Sequence, residues 1–166
     1  DNTETGKTLI HLERDFPCPV EPLFEAFLSA EEFRNWFSPP GFEAGDFSLD
    51  PVVGGRYKCE FLKQGKYVLT IKGIYIEIER YKKLVFTLEY DPDVSEIGEC
   101  KVTISFSSKG NTASIVLNQE IFKSIKAEGR TKGWNYMFSR LEDNLINKLK
   151  FPVASILILS DHAGKL

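Results

Sequence analysis

The chain is poor in the residues that usually announce chemistry. It holds two histidines, His11 and His162, and no spacing supplies either with the carboxylate or thiolate partners of a metal site. His11 is therefore expected to be a structural or surface residue. There is no GxSxG, P-loop or GxGxxG, and the adjacent pair Gly54-Gly55 precedes a strand-like run, so it reads as a bend. Cysteine is scarce. Cys18, Cys59 and Cys100 lie far apart with no CxxC, and an odd count points to reduced, buried thiols and a cytoplasmic setting. A cationic excess is missing too. The net charge of −3 and the scattered lysines exclude the basic field that nucleic acid requires. The apolar run Val153 to Leu159 falls well short of the roughly 20 residues that cross a bilayer, and no signal peptide is visible. No metal or cofactor is expected.

Aromatic residues are what the chain has in surplus. Thirteen Phe, six Tyr and two Trp exceed the needs of a minimal core, which fits either a roomy ring-lined interior or a well-filled one. At 166 residues one domain is expected. Its organising stretch is Ser124 to Lys150. At 100° per residue Ala127, Trp134, Met137, Phe138, Leu141, Leu145 and Leu149 share one side. This predicts an amphipathic helix of about 26 residues, roughly 39 Å long, capped by Ser124 and stopped by Phe151-Pro152. Its first half is looser, with Ala127, Arg130 and Thr131 inward, Gly133 on the flank and Gly129 further round. Two glycines in a helix cost about 2 kcal/mol relative to alanine. Keeping them predicts either close backbone approach or empty space.

Upstream, Leu9 to Phe16 reads as a strand, followed by two short helices. Pro22 sits in the first turn of one; Ser29 caps the other, with Glu32 completing a capping box. From Phe42 the period becomes two, giving strands at 47–49, 57–61, 67–79 (with a bulge expected at Gly73), 84–90, 100–106 and 112–120. Sequential hairpins imply an antiparallel meander whose apolar face the long helix must cover. The fold class is α+β: a curved antiparallel sheet of about six to seven strands wrapped around a long C-terminal helix, with two short helices after the first strand. Val153 to Leu159 has a strand's length and suits either an edge pairing or a disordered tail.

Several segments, in this order, resemble a known family: FPCPVEPLFEAFLSAEEFRNWF with a Pro-Gly loop, VVGGRY, KGIYIEIERYKKLVFT, GNTASIVL and KGWNYMFSRLEDNL. They are similar to the START-like (SRPBCC) superfamily, in the branch of homologues of the activator of heat-shock protein 90 ATPase. The resemblance spans residues 9–150 and leaves 151–166 as a tail of unassigned role. It implies a helix-grip fold with a pocket between the long helix and the sheet, where superfamily members hold lipids, sterols, hormones or polyketides. Some members are cyclases or aromatases.

The expected pocket wall is Trp36, Phe37, Tyr57, Phe61, Ile71, Phe86, Val102, Ile104, Trp134 and Phe138, with filled core as the alternative for each. Arg130 and Gln119 are candidate anchors for a ligand's polar head, because buried polar groups need partners. Otherwise Arg130 reaches to solvent and Gln119 bonds a backbone group. Three functions compete. The leading one is a module binding a hydrophobic or lipid-like small molecule. The second is a regulator that binds a heat-shock chaperone and stimulates its ATPase. The weakest is a cyclase or aromatase, since no catalytic acid/base pair is identifiable. A monomer or a homodimer is equally compatible.

Overall fold

The computed structural model describes residues 8–93, 98–121 and 127–164. Strand β1 (Thr8–Phe16) leads into two short helices, α1 (Val20–Leu28) and α2 (Ala30–Trp36). Six strands follow: β2 (Glu43–Leu49), β3 (Arg56–Lys63), β4 (Lys66–Glu79), β5 (Lys83–Asp91), β6 (Cys100–Lys109) and β7 (Thr112–Ile121). Helix α3 (Ala127–Gly164) closes the order. The strands form one antiparallel sheet in the order β1-β7-β6-β5-β4-β3-β2. Thus β2 to β7 is the expected meander, while β1 lies beside β7 at the opposite edge from β2. Gly65 and Gly110, at φ of 76° and 65°, close the β3–β4 and β6–β7 hairpins in a conformation other residues rarely adopt.

Period-two patterning decides which face is buried. Cys100, Val102, Ile104 and Phe106 of β6 face inward, as do Ala113, Ile115, Leu117 and Gln119 of β7. Ile104 pairs with Leu117 and Val102 with Gln119, so the inward rows of the two strands abut.

Helix α3 does not cover this face alone, as its length suggested. Phe24 and Phe27 of α1 meet Phe106 edge-on, at 5.0 and 5.5 Å between ring centroids. Phe27 meets Trp36 of α2 at 4.8 Å, and Trp36 meets Phe138 of α3 at 5.9 Å. The aromatic surplus knits three helices to the sheet. On α3 itself Trp134, Met137, Phe138, Leu141 and Leu145 are buried. Leu149, expected on the same stripe, is 43% exposed, because the covered surface ends before it.

Ser29 joins the two short helices. Its N–H closes α1 on the Glu25 carbonyl at 3.1 Å, and its Oγ accepts the Glu32 N–H at 3.3 Å. The reciprocal half of the expected capping box is not made. Ser29 has already spent its N–H on α1, and the Glu32 carboxylate pairs with Lys148 of α3 at 2.9 Å.

Three further expectations need correction. Strand β4 shifts register at two places, against Phe61 and Leu62 of β3 and between Tyr75 and Glu77 against β5, and at neither is the residue Gly73; Ile76 is 45% exposed. Gly73 has a different purpose. It lies opposite Tyr57, whose phenol reaches across to donate to the Thr87 carbonyl at 2.6 Å. A Cβ at position 73 would sit 1.9 Å from that carbonyl oxygen and 2.8 Å from the tyrosine ring. Secondly, α3 continues past Phe151-Pro152 to Gly164, so the proline does not end it. Inside a helix proline removes one N–H donor and crowds the carbonyl four residues back, at a cost of about 3 kcal/mol, yet α3 runs on through it. Thirdly, Val153 to Leu159 is consequently helix and not strand. The expected Ser124 cap lies outside the described residues.

Gly73→Ala should cost roughly 1–3 kcal/mol of stability in urea unfolding, as an overpacking change against rigid backbone. Tyr57→Phe should cost about 1 kcal/mol through its lost hydrogen bond. His11, exposed on β1, bonds Glu13 at 2.9 Å and Asn118 at 2.7 Å. The Glu13 bond, then the Asn118 bond, raises its pKa above the ordinary value. Its stabilisation is therefore complete below the unfolded-state pKa and is lost as pH rises through the folded one. An NMR titration should find His11 above 6.5, the ordinary value, and moving down in Glu13→Gln.

Candidate functional site

Where the first turns of α3 cross the inner face of the sheet, the packing opens into a cleft of about 140 Å³. Each element contributes by its own periodicity. Ile71 comes from β4, Leu88 and Tyr90 from β5, and Gln119 from β7, all on inward rows. Helix α3 adds Gly129, Arg130, Gly133, Trp134 and Met137, and the end of α2 adds Phe37 with Pro39 and Pro40 beyond it. A Cβ on either Gly129 or Gly133 would meet nothing within 4 Å. The glycines accompany empty space and not a close backbone approach. Spaced four apart, they lie on one face of the helix and keep that space open.

A polar relay lines one side. The Trp134 indole N–H donates to Gln119 Oε1 at 2.8 Å, and Gln119 Nε2 donates to Cys100 Sγ at 3.1 Å. The Cys100 thiol in turn donates to the Leu88 carbonyl at 3.3 Å. Gln119, at 2% exposure, thus finds side-chain partners instead of the backbone partner expected as its alternative. Beside the relay, Arg130 Nη1 donates to the Tyr90 hydroxyl at 2.5 Å, with the guanidinium 4.9 Å from the Tyr90 ring centroid. The half-buried Arg130 stacks on an aromatic face and does not simply reach into solvent.

Burial pushes the Tyr90 phenol pKa up, opposed by the charge and hydrogen bond of Arg130. Burial also raises the Cys100 thiol, opposed by the Gln119 bond and Arg130. Away from the cleft, Cys18 is pushed up to about 11 by burial and the Glu142 carboxylate, and Cys59 is raised by burial alone. All three thiols are free and buried. None is poised as a thiolate at neutral pH.

Of the twelve residues expected at the site, the structure brings Phe37, Ile71, Gln119, Arg130 and Trp134 to this cleft. Tyr57 and Phe86 border a separate hollow of about 10 Å³, about the space of one water. Trp36, Phe61, Val102, Ile104 and Phe138 do not reach either space and are packed in the core. Their rings and methyls contact α1, α2 and one another, as with Phe138 against Phe16, Phe27 and Trp36. Sequence reasoning missed Tyr90 and Leu88. Extending the inward row of Phe86 by two and four residues would have found both.

Gly129→Ala and Gly133→Ala should each stabilise the protein by about 1 kcal/mol, since helix propensity gains and no steric cost opposes it. Gln119→Leu should lose roughly 1–3 kcal/mol by stranding the buried indole N–H of Trp134. Thermal and urea denaturation measure both.

Comparison with known proteins follows the same outline. A crystal structure of a protein from Chromobacterium violaceum is 28% identical, with a TM-score of 0.73 over 81% of this chain and 94% of that one. A crystal structure from Nitrosomonas europaea is 17% identical, with a TM-score of 0.72 over 86% and 96% of the two chains. A solution structure from Staphylococcus epidermidis is 16% identical, with a TM-score of 0.72 over 84% and 90%. These last two show the fold alone. Curated proteins give no match. The family model described as Activator of Hsp90 ATPase homolog 1-like protein matches residues 17–145, from the turn after β1 to the buried Leu145 of α3, and the chain belongs to that family.

Proposed function

We propose that this protein is a binding module for a small, largely apolar molecule, which enters the cleft between α3 and the sheet and is held at its polar head by Arg130, with Tyr90 and Gln119 beside it. The supporting observation is open space at Gly129 and Gly133 placed directly against polar side chains locked in position. Apolar wall with few convergent polar groups is the usual chemistry of a ligand site.

Size narrows the reading. Drug-sized ligands occupy about 300–1,000 Å³, whereas an engineered cavity of about 150 Å³ accepts benzene. At about 140 Å³ this cleft suits a compact molecule. A sterol or a long acyl chain would need α3 to move away from the sheet.

Family membership favours a second reading, in which an outer surface stimulates a heat-shock chaperone ATPase. The two respond differently to Gly133→Leu, which fills the cleft from a position where added atoms meet open space. Native mass spectrometry of protein purified from its own host should reveal a retained small molecule that Gly133→Leu loses. Arg130→Ala should weaken its binding roughly tenfold, about 1.4 kcal/mol. A protein with no adduct, which stimulates the chaperone ATPase equally well with or without Gly133→Leu, would favour the surface reading.

A further inference from the structure

We infer that the cleft selects a compact carboxylic acid, bound as its carboxylate, with a body about the size of one ring. The inference rests on the binding reading above and adds the charge and size of the ligand.

It follows from a count of donors and acceptors at the polar end. Arg130 carries five N–H donors and no acceptor, and the Tyr90 hydroxyl takes one of those bonds. Having accepted from Arg130, Tyr90 keeps its own hydrogen to give, and no described residue takes it. Gln119 uses Oε1 for the Trp134 indole and one Nε2 hydrogen for Cys100, which leaves a second N–H. The relay thereby fixes the orientation of the amide, with one hydrogen and one lone pair engaged. The cleft is lined at this end by a guanidinium, which can only donate, beside a phenol and an amide that each keep a hydrogen to give.

A neutral head, such as an alcohol or primary amide, would leave the guanidinium without a countercharge. A carboxylate only accepts, at two oxygens, and forms charge-assisted bonds with the guanidinium. Among the described residues Arg130 pairs with no carboxylate of the protein and lines the cleft as its one cation. One positive group in a chain of net charge −3 matches a monoanion better than a phosphate dianion. The body is bounded by the volume of about 140 Å³ and by Phe37, Ile71, Leu88, Trp134 and Met137, which suit an aromatic ring or a short branched chain.

Isothermal titration calorimetry on the full chain at neutral pH, with benzoate, its neutral counterpart benzamide, and palmitate, tests this. Benzoate should bind at least tenfold more tightly than benzamide, and palmitate should not compete. Arg130→Gln should bring benzoate and benzamide to parity. Tyr90→Phe should weaken benzoate several-fold and leave benzamide unchanged. Gly133→Leu should abolish both, with its melting temperature confirming a folded chain. Equal affinity for benzoate and benzamide, both lost in Gly133→Leu, would overturn the carboxylate while the binding module stands. Tight palmitate binding with none of benzoate would overturn the size limit in the same way. If no probe binds, and native mass spectrometry finds no retained molecule, the carboxylate and the binding reading fall together.

Discussion

The hydrogen bond from the Trp134 indole to the Gln119 amide is the constraint on which the interior depends. It joins the long helix to β7 two residues before that strand ends, between two buried residues. A buried amide without partners would destabilise the fold by a few kcal/mol, so the register of α3 on the sheet is tightly specified there. One helical turn earlier, Arg130 is brought to Tyr90; one turn later, Phe138 is brought to Phe16 and Trp36. The cleft and the solid core are thus two outcomes of a single helix placement.

Aromatic side chains decide where one ends and the other begins. From Phe138 toward the C-terminal end of α3, rings from α1, α2 and β6 occupy the space beneath the helix. Toward its N-terminal end α3 offers glycines, and the short helices contribute only Phe37 and two prolines. Sequence counting saw the abundance of rings but not their destination. Most of them fill, and few enclose.

Strands β3, β6 and β7 and the body of the long helix were legible because each has one dominant period. The inward rows of β3, β6 and β7 could be read residue by residue, and the seven-stranded α+β architecture followed from them. Less legible was anything decided by a neighbour far along the chain. Gly73 looked like a bulge because its reason is the Tyr57 ring crossing from β3, while the register shift between Tyr75 and Glu77 has no glycine to mark it. Glu32 had the spacing of a capping box, yet Lys148 of α3 claimed its carboxylate. At the site, Arg130 and Gln119 were visible as polar residues on apolar faces. Tyr90 was not, because a tyrosine near the end of a strand reads as ordinary β-sheet composition.

The position of β1 bears on how the molecule assembles. His11 and Asn118, hydrogen-bonded across the β1–β7 pair, are 107 residues apart in sequence. Strand β1 therefore has no partner until β7, the last strand of the sheet, has emerged, and closing so long a loop carries an entropic cost that slows folding. The hairpins from β2 to β7 are local and are suited to forming early, leaving the seam beside β7 to be sealed late by β1.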